Sequence, residues 1–562
     1  MNFGLIRQMK KTKIATLAIL TVTLLIGLFF RFYRLDQNIP SLYADETGHY
    51  LIFNKIVGSS ANVGQWLYNK IFNGTFSLTW VFGLTPLGVR AASALYGSLA
   101  TLSIFFFAYS ISKNRLISAI AALLVAVIPW NFMISRISHT HVVILALLVV
   151  IHAGLFLRAK TISRYLICLL PLGLALIYYP SMVIIAPFAG ILVLAEIYKL
   201  TKKKYRSILI LGTILLVIGA AVLIGQRFNV LSTSGRGLDL AIWRDVNTPY
   251  DTDKFRALSW NSQPSLFSFY LPPEQLANKL FLNRISANLL VFTRNYLSFF
   301  SPDWLFLRGD AILRHSTGLV GAFYPFLLPF MLYGAFRFFK TADPKTRNLF
   351  LVWILVSPIP AAITKDGAGY LLRAVTMLPF LTYFCALGIV DSFGLISKKW
   401  RWPYGIVVAL IGFYSAWSFF YGYFHVYPAL SARAYEYGFK ELSDFQVAND
   451  RKTMLVVWDG YYHNGDFRFW QRTPFDQYEA FKLKQIVIGE STFWQTFPNL
   501  YFSSPKSIED YKIFINQYKP TYVILPDRYF VKYPIQIENL LDPIEQIKYP
   551  DQTPALTIYT PK

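Results

Sequence analysis

The sequence predicts a polytopic α-helical membrane protein with about eleven transmembrane helices and a small C-terminal extracytoplasmic α/β domain. Three observations support this fold class. Of the 562 residues, 55% are hydrophobic and only 15% are charged. The mean hydropathy is +0.41, which is unusual for a soluble chain. Apolar stretches long enough to cross a hydrocarbon core of ~30 Å recur through the first three quarters of the sequence.

Basic residues lie in short clusters that follow every second apolar stretch and join the basic N-terminus on one face. By the positive-inside rule this face is cytoplasmic. An odd number of spans then sends the C-terminus to the opposite face. The predicted spans are 14–32, 89–111, 115–133, 141–158, 164–180, 181–198, 206–225, 318–339, 347–364, 372–395 and 403–424.

Charge and cysteine content exclude two other classes of protein. The formal net charge is +24, but the basic residues are spread between apolar spans and do not form a groove, so nucleic acid is excluded as a partner. The two cysteines, Cys168 and Cys385, lie inside apolar runs. This excludes a disulfide framework and a cysteine zinc site.

The composition changes after about residue 425. Apolar runs typical of buried strands follow, with a helix-like segment between two of them, and this alternation predicts an α/β domain. We therefore divide the chain into a transmembrane domain, 1–425, and a soluble domain, 426–562. The predicted strands lie at 453–458, 486–488 and 521–525, and the helix at 509–518.

Two long loops, 33–88 and 226–317, fall on the predicted outer face. The stretch 46–58 in the first loop and the stretch 276–300 in the second have apolar residues at helical spacing. Each predicts a helix that lies in the plane of the membrane interface.

Asp45 and Glu46, in the first outer loop, are the leading catalytic candidates. Two adjacent carboxylates so close to a bilayer are costly unless water, a cation or a substrate accompanies them. Such a pair could activate an acceptor hydroxyl. Alternatively, Asp45 or Glu46 could hold a divalent metal ion that bridges to the leaving phosphate. The neighbouring His49 and Tyr50 are predicted to contact the acceptor or the sugar.

A second cluster of charges lies in the segment 301–315, just before the eighth span. Arg314 and His315 are predicted to bind a phosphate at the membrane surface, because fixed cations and the arginine fork suit a phosphate group. Asp303 and Asp310 are predicted to contact the sugar or the acceptor. Ordinary snorkelling of arginines at a helix end is the alternative interpretation.

Four further cations are candidates for the same phosphate. Lys365 and Arg373 flank the outer end of the tenth span, and Arg373 lies inside an apolar run, where a cation needs a partner. A structural salt bridge remains the alternative for Arg373. Arg136, before the fourth span, and Arg90, at the start of the second span, are weaker candidates.

Six of the seven histidines fall on the predicted outer face or at its rim. His139 and His141 are too close in sequence to share one helical face as ligands, and the others lie on separate loops. We therefore favour hydrogen-bonding or interfacial roles over a metal site built from histidines. The run 458–463 is interpreted as the end of a strand followed by a turn. The six histidines are His49, His139, His141, His315, His425 and His463.

Three features of the sequence resemble the GT-C glycosyltransferases that use polyprenyl-phosphate sugars, in the branch of protein O-mannosyltransferases and aminoarabinose transferases (family 39). The first is the Asp-Glu pair in the first outer loop, followed by the aromatic Tyr50. The second is Arg-x-x-Ser-x-x-x-Gly, which begins at Arg90. The third is Ile-Ser-Arg, which ends at Arg136 and enters the fourth span. The resemblance covers roughly residues 14–425 and implies a GT-C fold.

The resemblance implies an inverting sugar transfer from a polyprenyl-phosphate donor to a hydroxyl of a protein or glycolipid acceptor. The reaction would take place on the outer face of the plasma (inner) membrane. Asp45 would be the general base, and Glu46 would orient the acceptor or help to hold a metal. Aminoarabinose transferases tend to have an arginine where this chain has Gly48, and the tail lacks the marks of the β-trefoil domain of eukaryotic mannosyltransferases. The sugar and the acceptor therefore stay open.

Two other functions compete with this one. A transporter or flippase for polyprenyl-linked sugars would be expected to show charges inside the spans and inverted repeats. The sequence shows few charges inside the spans and no internal repeat. A ligase for surface glycans would share the lipid donor and the outer-face site. The nature of the donor separates a ligase from a transferase of single sugars.

Overall fold

The computed structural model describes residues 3–39, 41–57, 77–205, 240–245, 254, 281–458, 463–473, 481, 483–526 and 537–562. The chain separates into two compact units. The first, which we call the helical unit, contains Met1–Arg31, Leu95–Ser135 and His141–Phe419. The second, the sheet unit, contains Phe32–Ala94, Arg136–Thr140 and Phe420–Lys562. The sheet unit thus combines the first outer loop with the C-terminal tail.

Helices fill most of the described chain up to residue 431. Their bounds are α1 (Phe3–Phe32), α2 (Ala44–Thr47), α3 (His49–Val57), α4 (Thr79–Phe82), α5 (Pro86–Ser112), α6 (Arg115–Val127), α7 (Pro129–Ser135), α8 (Thr140–Arg158), α9 (Ile162–Tyr178), α10 (Met182–Leu200), α11 (Arg284–Ser298), α12 (Leu327–Thr341), α13 (Pro344–Val356), α14 (Ile359–Ala362), α15 (Leu371–Ala374), α16 (Leu378–Ser392), α17 (Arg401–Tyr421) and α18 (Tyr427–Ser431).

The prediction of a chain of apolar helices followed by a C-terminal sheet domain is confirmed. Within the described residues, five helices are long and apolar enough to cross a membrane, or six if the bent pair α6 and α7 is one span. Helices occur at every predicted span inside the described residues, whereas 206–225 lies outside them. The count of about eleven spans stays a prediction.

Prolines explain where predicted spans are interrupted. The predicted span 115–133 breaks at Pro129, and the two parts meet at an angle of 49°. The carbonyl of Val125 would normally accept a hydrogen bond from the backbone nitrogen of residue 129, which carries no hydrogen in proline. The buried Arg31 donates to that carbonyl at 3.0 Å and to the carbonyl of Ala126 at 2.9 Å. The side chain of Asn131 also donates to Val125, at 3.0 Å.

The eighth and tenth predicted spans, here α12 and α16, pack with their backbones in close approach. A Cβ atom on Gly334 would lie 1.9 Å from the carbonyl oxygen of Phe384, and one on Gly388 would lie 1.9 Å from that of Phe330. Small residues allow such contacts between helices in apolar surroundings. The predicted span 318–339 is shorter than expected, because α12 begins only at Leu327, two residues after Pro325.

The described residues of the tail form a seven-stranded mixed sheet in the order β2-β3-β4-β1-β5-β7-β6. Strand β1 pairs in parallel with β4 and β5, and the other pairs are antiparallel. The predicted strands and helix are confirmed. The elements are α19 (Phe439–Ala448), β1 (Met454–Val457), α20 (Asn464–Trp470), β2 (Lys484–Ile488), β3 (Ser491–Phe497), β4 (Leu500–Ser503), α21 (Ile508–Tyr518), β5 (Tyr522–Pro526), β6 (Leu541–Lys548) and β7 (Pro554–Pro561).

Both faces of the sheet are covered by apolar side chains. On one face Met454 and Val456 of β1 pack in a core with Phe439 of α19 and Phe467 of α20. On the other face, Leu455 and Val457 pack in a core with residues of α21. This alternation follows from the strand period of two. A run of four buried residues in β1 is therefore expected of a central strand.

A third, small core brings the first outer loop onto α20. It contains Leu42, Tyr50, Val89 and Phe469, all buried. The predicted helix after Glu46 is present as α3, and its Tyr50 packs in this core. The segment that carries Asp45 and Glu46 therefore lies against a folded domain.

Candidate functional site

The two carboxylates of the Asp-Glu pair have opposite environments. Both belong to α2, a single helical turn. Glu46 is fully buried, whereas Asp45 is exposed. Among the residues that the structure describes, no ion-pair or hydrogen-bond partner of the Asp45 carboxylate is found. The pair therefore contains one fixed carboxylate and one that is open to a ligand.

Glu46 is held by a bidentate ion pair with Arg90 of α5. The Arg90 Nε donates to Glu46 Oε1 at 2.9 Å, and Nη2 donates to Oε2 at 2.7 Å. Both side chains are completely buried. The backbone N–H of Ser138 also donates to Oε1, at 3.0 Å, and Arg90 Nη2 donates to the carbonyl of Ser41 at 2.6 Å. Charge-assisted, two-pronged bonds of this kind fix geometry strongly.

The Arg-x-x-Ser-x-x-x-Gly pattern has a physical explanation in α5. Arg90 supplies the ion pair, and one turn later the hydroxyls of Ser93 and Thr140 lie 2.8 Å apart. A Cβ atom on Gly97 would lie only 2.2 Å from the Cβ of Ser135. The glycine is therefore needed for the close approach of α7 to α5.

The other residues predicted in the first loop are buried and bonded. The Oγ of Ser138 hydrogen bonds to the His49 Nε2, and the Tyr50 hydroxyl donates to the carbonyl of Thr473.

Arg136, predicted to bind phosphate, is fully buried, and its Nε donates to the Tyr423 hydroxyl at 2.9 Å. Its other nitrogens donate to the carbonyls of Tyr33 and Arg34, at 2.8 and 3.1 Å.

The Asp-Glu pair alone does not complete a metal site. Both oxygens of Glu46 already accept hydrogen bonds from Arg90, and one accepts a third bond from the backbone. Among the described residues, no group of three or more metal-ligating side chains includes Asp45 or Glu46. A metal ion held by Asp45 therefore stays a prediction.

In the helical unit, Asp310 and His315 form a second buried pair. The His315 Nδ1 lies 2.8 Å from Asp310 Oδ2, and both side chains are almost fully buried. The same carboxylate accepts the backbone N–H groups of Ile312 and Leu371, each at 2.9 Å. These bonds join the segment before the eighth span to the start of the tenth.

Arg373 also has a carboxylate partner: its Nη1 lies 2.8 Å from Asp366 Oδ1. The same nitrogen donates to the Thr364 hydroxyl. Partial burial raises the pKa of Asp366, but the hydrogen bond and charge of Arg373 outweigh this and lower the pKa below its ordinary value. The guanidinium lies 4.3 Å from the centre of the Tyr370 ring. Lys365 is exposed.

The remaining charges of the segment 301–315 lie nearer the surface. Asp303 forms an exposed pair with Arg308 at 2.7 Å, and Arg314 is partly buried. The structure thus groups the predicted residues into two sets. Asp45, Glu46, His49, Tyr50 and Arg136 belong to the sheet unit, and Asp303, Asp310, Arg314, His315, Lys365 and Arg373 belong to the helical unit.

Sequence reasoning missed a cluster of Glu436, His463 and Asp466 in the sheet unit. The ligand atoms of these three residues all lie within 4.8 Å of one another. Burial lowers the pKa of His463, but the hydrogen bond with Asp466 and the charges of Glu436 and Asp466 outweigh it and raise the pKa. The spacing of His463 and Asp466 at the start of α20 was a usable signal, whereas Glu436 lies beyond an intervening helix and strand.

No protein-family model and no curated relative matches the chain. One solved structure that resembles it is the archaeal oligosaccharyltransferase AglB from Archaeoglobus fulgidus in complex with an inhibitory peptide and a dolichol-phosphate. The sequence identity is 13% and the TM-score is 0.48. The match covers 98% of this chain and 74% of that chain. A structure of the Archaeoglobus fulgidus oligosaccharyltransferase in complex with Zn and sulfate has 14% identity and a TM-score of 0.46, with 97% of this chain and 73% of that chain covered. Likeness at this level does not establish a common fold or activity.

Proposed function

We propose that the protein is a membrane glycosyltransferase that moves a sugar from a polyprenyl-phosphate donor to an acceptor hydroxyl. Asp45 acts as the general base. The observation that carries the proposal is the division between the two adjacent carboxylates: Glu46 is buried and doubly bonded to Arg90, and Asp45 is exposed. The resemblance to family 39, on the same Asp-Glu pair and on Arg90, supports it.

The proposed reaction needs one proton transfer and one displacement. The acceptor hydroxyl gives its proton to the Asp45 carboxylate while its oxygen forms a bond to the sugar C1. The bond between C1 and the phosphate oxygen breaks, and the lipid phosphate leaves with the electron pair. Attack from the face opposite the phosphate inverts C1. A base of this kind contributes about 10²–10⁴-fold to the rate when it is held within reach of the proton.

The role of Glu46 in this scheme is to position the base. Its ion pair with Arg90 and its bond from Ser138 fix α2 at three points. The backbone at Asp45 is thereby held in place, which limits the positions that its carboxylate can reach. His49 and Tyr50, whose side chains are bonded to the same unit, contribute to this scaffold.

For the donor phosphate we propose Lys365, Arg373 and Arg314. Lys365 is exposed, and Arg373 has a partner that is itself half exposed. An anion can compete for such a guanidinium more easily than for a fully buried one. His315 and Asp310 are occupied with each other, and Arg136 with Tyr423 and two carbonyls, so we assign these three residues supporting roles.

The substrate and location remain those implied by the resemblance. We propose a protein or glycolipid acceptor and an active site on the extracytoplasmic face of the plasma membrane. The apolar helices and the basic clusters between them support this topology.

The test is sugar transfer from a radiolabelled polyprenyl-phosphate sugar by membranes that contain the wild-type protein or Asp45→Asn. We expect labelled acceptor only with the wild type. Asp36→Asn is the matched control, because Asp36 is an exposed carboxylate of the same loop. Labelled lipid that changes leaflet without giving labelled acceptor would instead identify a flippase. Transfer only from a lipid that carries a preassembled glycan would identify a ligase.

A further inference from the structure

We propose that Glu436, His463 and Asp466 bind one divalent transition-metal cation of the zinc class, at a site separate from Asp45. The three residues come from three places: the segment after α18, the residue before α20, and α20 itself. His463 and Asp466 have side chains that are 5% and 1% exposed, and that of Glu436 is 21% exposed. His463 and Asp466 are therefore enclosed, and Glu436 is the most exposed of the three side chains.

The distances between the ligand atoms suit a bound ion. His463 Nδ1 lies 3.0 Å from Asp466 Oδ2 and 3.6 Å from Glu436 Oε2. Ligand atoms at ~2.1 Å from a zinc ion are separated by about 3.0–3.4 Å in octahedral or tetrahedral geometry. An ion can therefore bind with small adjustments of the side chains. An imidazole nitrogen among the ligands favours a transition metal over Mg²⁺ or Ca²⁺.

An oxygen of Asp466 gives an independent reason for a cation. This atom, Oδ1, is buried without a hydrogen-bond partner in the part of the chain that the structure describes. Buried polar atoms are costly unless they are bonded. A divalent cation would give this carboxylate a further partner.

Neighbouring aromatic rings hold the His463 imidazole in place. The ring stacks on Phe439 with centroids 4.2 Å apart and an angle of 9° between the planes. Trp458 packs edge-on against it at 4.6 Å. A ligand whose ring is fixed in this way loses little freedom when it binds a metal.

The site lies beside the helix that carries Asp45. Glu436 Oε2 accepts the backbone N–H of Ala44, the first residue of α2, at 3.0 Å. A Cβ atom on Gly465 would lie 3.2 Å from the Thr47 hydroxyl oxygen, so α20 packs tightly on the other end of α2. A bound cation would therefore stiffen the support of α2 and act as a structural ion.

The experiment is zinc binding to the purified full-length protein in detergent after treatment with a chelator. Bound zinc is measured by elemental analysis at equilibrium and the affinity by calorimetry. We expect one zinc ion per chain and an increase in Tm of at least about 3 °C at saturating zinc. His463→Gln and Asp466→Asn should each weaken binding by more than the ~10–100-fold that is typical of losing an outer-shell partner.

Asp444→Asn is the matched control, because Asp444 is an exposed carboxylate of the neighbouring α19 that pairs with Lys440. It should bind zinc like the wild type, and so should Asp45→Asn, which separates this proposal from the proposed reaction. If a variant of His463 or Asp466 does not fold without zinc, Glu436→Gln replaces it. The proposal is overturned if the wild type binds no stoichiometric zinc, or if the folded variants bind zinc as the wild type does.

Discussion

The charged segments of the two units differ in what they leave open. In the helical unit the three carboxylates near the predicted phosphate cluster each have a side-chain partner: Asp303 with Arg308, Asp310 with His315, and Asp366 with Arg373. In the sheet unit, α2 has one buried carboxylate with a partner and one exposed carboxylate for which the described residues offer none. Clustering of charges in sequence therefore does not reveal which charges are available to a ligand, whereas burial and pairing do.

The largest expected effect on stability is at Glu46. Glu46→Gln removes one partner of a buried ion pair and leaves Arg90 charged and uncompensated, which typically costs about 3–5 kcal/mol. We expect a correspondingly lower Tm in detergent. Asp45→Asn, an exposed change in the same turn, should alter stability by less than about 0.5 kcal/mol. Equal stability of the two variants would contradict the division between these carboxylates.

A smaller effect is expected at Asp310 in the helical unit. Asp310→Asn keeps the shape but weakens the bonds to His315 and to two backbone N–H groups, at a cost of about 1–3 kcal/mol. Asp303→Asn breaks an exposed pair and should cost less than about 1 kcal/mol. Thermal unfolding of both variants compares buried and exposed pairs within one segment. Similar Tm values would mean that the Asp310–His315 pair does not join the two spans.

Arg373 tests the proposed donor contact. Arg373→Lys loses the bidentate fork, so we expect the KM for the polyprenyl-phosphate sugar to rise about tenfold, with a smaller change in kcat, since about 1.5 kcal/mol of charge-assisted bonding is lost. Arg308→Lys, at an exposed pair in the same unit, is the control and should leave the KM unchanged. An unchanged KM in Arg373→Lys would assign Arg373 to the salt bridge with Asp366 alone.

The smallest effect is expected in the pH dependence of stability at Asp366. Because Arg373 lowers the pKa of Asp366 in the folded state, the contribution of this pair is present above the ordinary aspartate pKa, near 4. It is lost as the pH falls through the lowered value. Asp366→Asn should therefore flatten the acid limb of a Tm-versus-pH curve below about pH 5. An acid limb identical to that of the wild type would show that the pair contributes no stability.

Much of the fold follows from local patterns in the sequence. Apolar runs located the helices and the strands β1, β2 and β5, because a residue's burial on a helix or a central strand requires an apolar side chain. The interruption of a predicted span was harder to predict from the sequence. Pro129 interrupts this predicted span, and the Val125 carbonyl that it leaves without a donor accepts a hydrogen bond from Arg31, which lies far away in sequence.

Only part of the candidate site could be predicted from local patterns in the sequence. Asp45 and Glu46 were recognised from their position after the first span, but their different environments depend on Arg90 and Ser138, which only the folded chain brings to Glu46. Nothing in the sequence indicated that Glu436 and His463 lie together, since helix α19 and strand β1 separate them. Pairing between distant residues is a tertiary property that periodicity does not contain.

We propose that Asp45 is the general base and that Glu46 positions it. The rate of the chemical step in Asp45→Asn tests this assignment most directly. The rate would be measured in single turnover with saturating donor and acceptor, on protein whose Tm matches that of the wild type. A general base at Asp45 predicts a decrease of about 10²–10⁴-fold. A rate within about twofold of the wild type would contradict the assignment of Asp45 as the base.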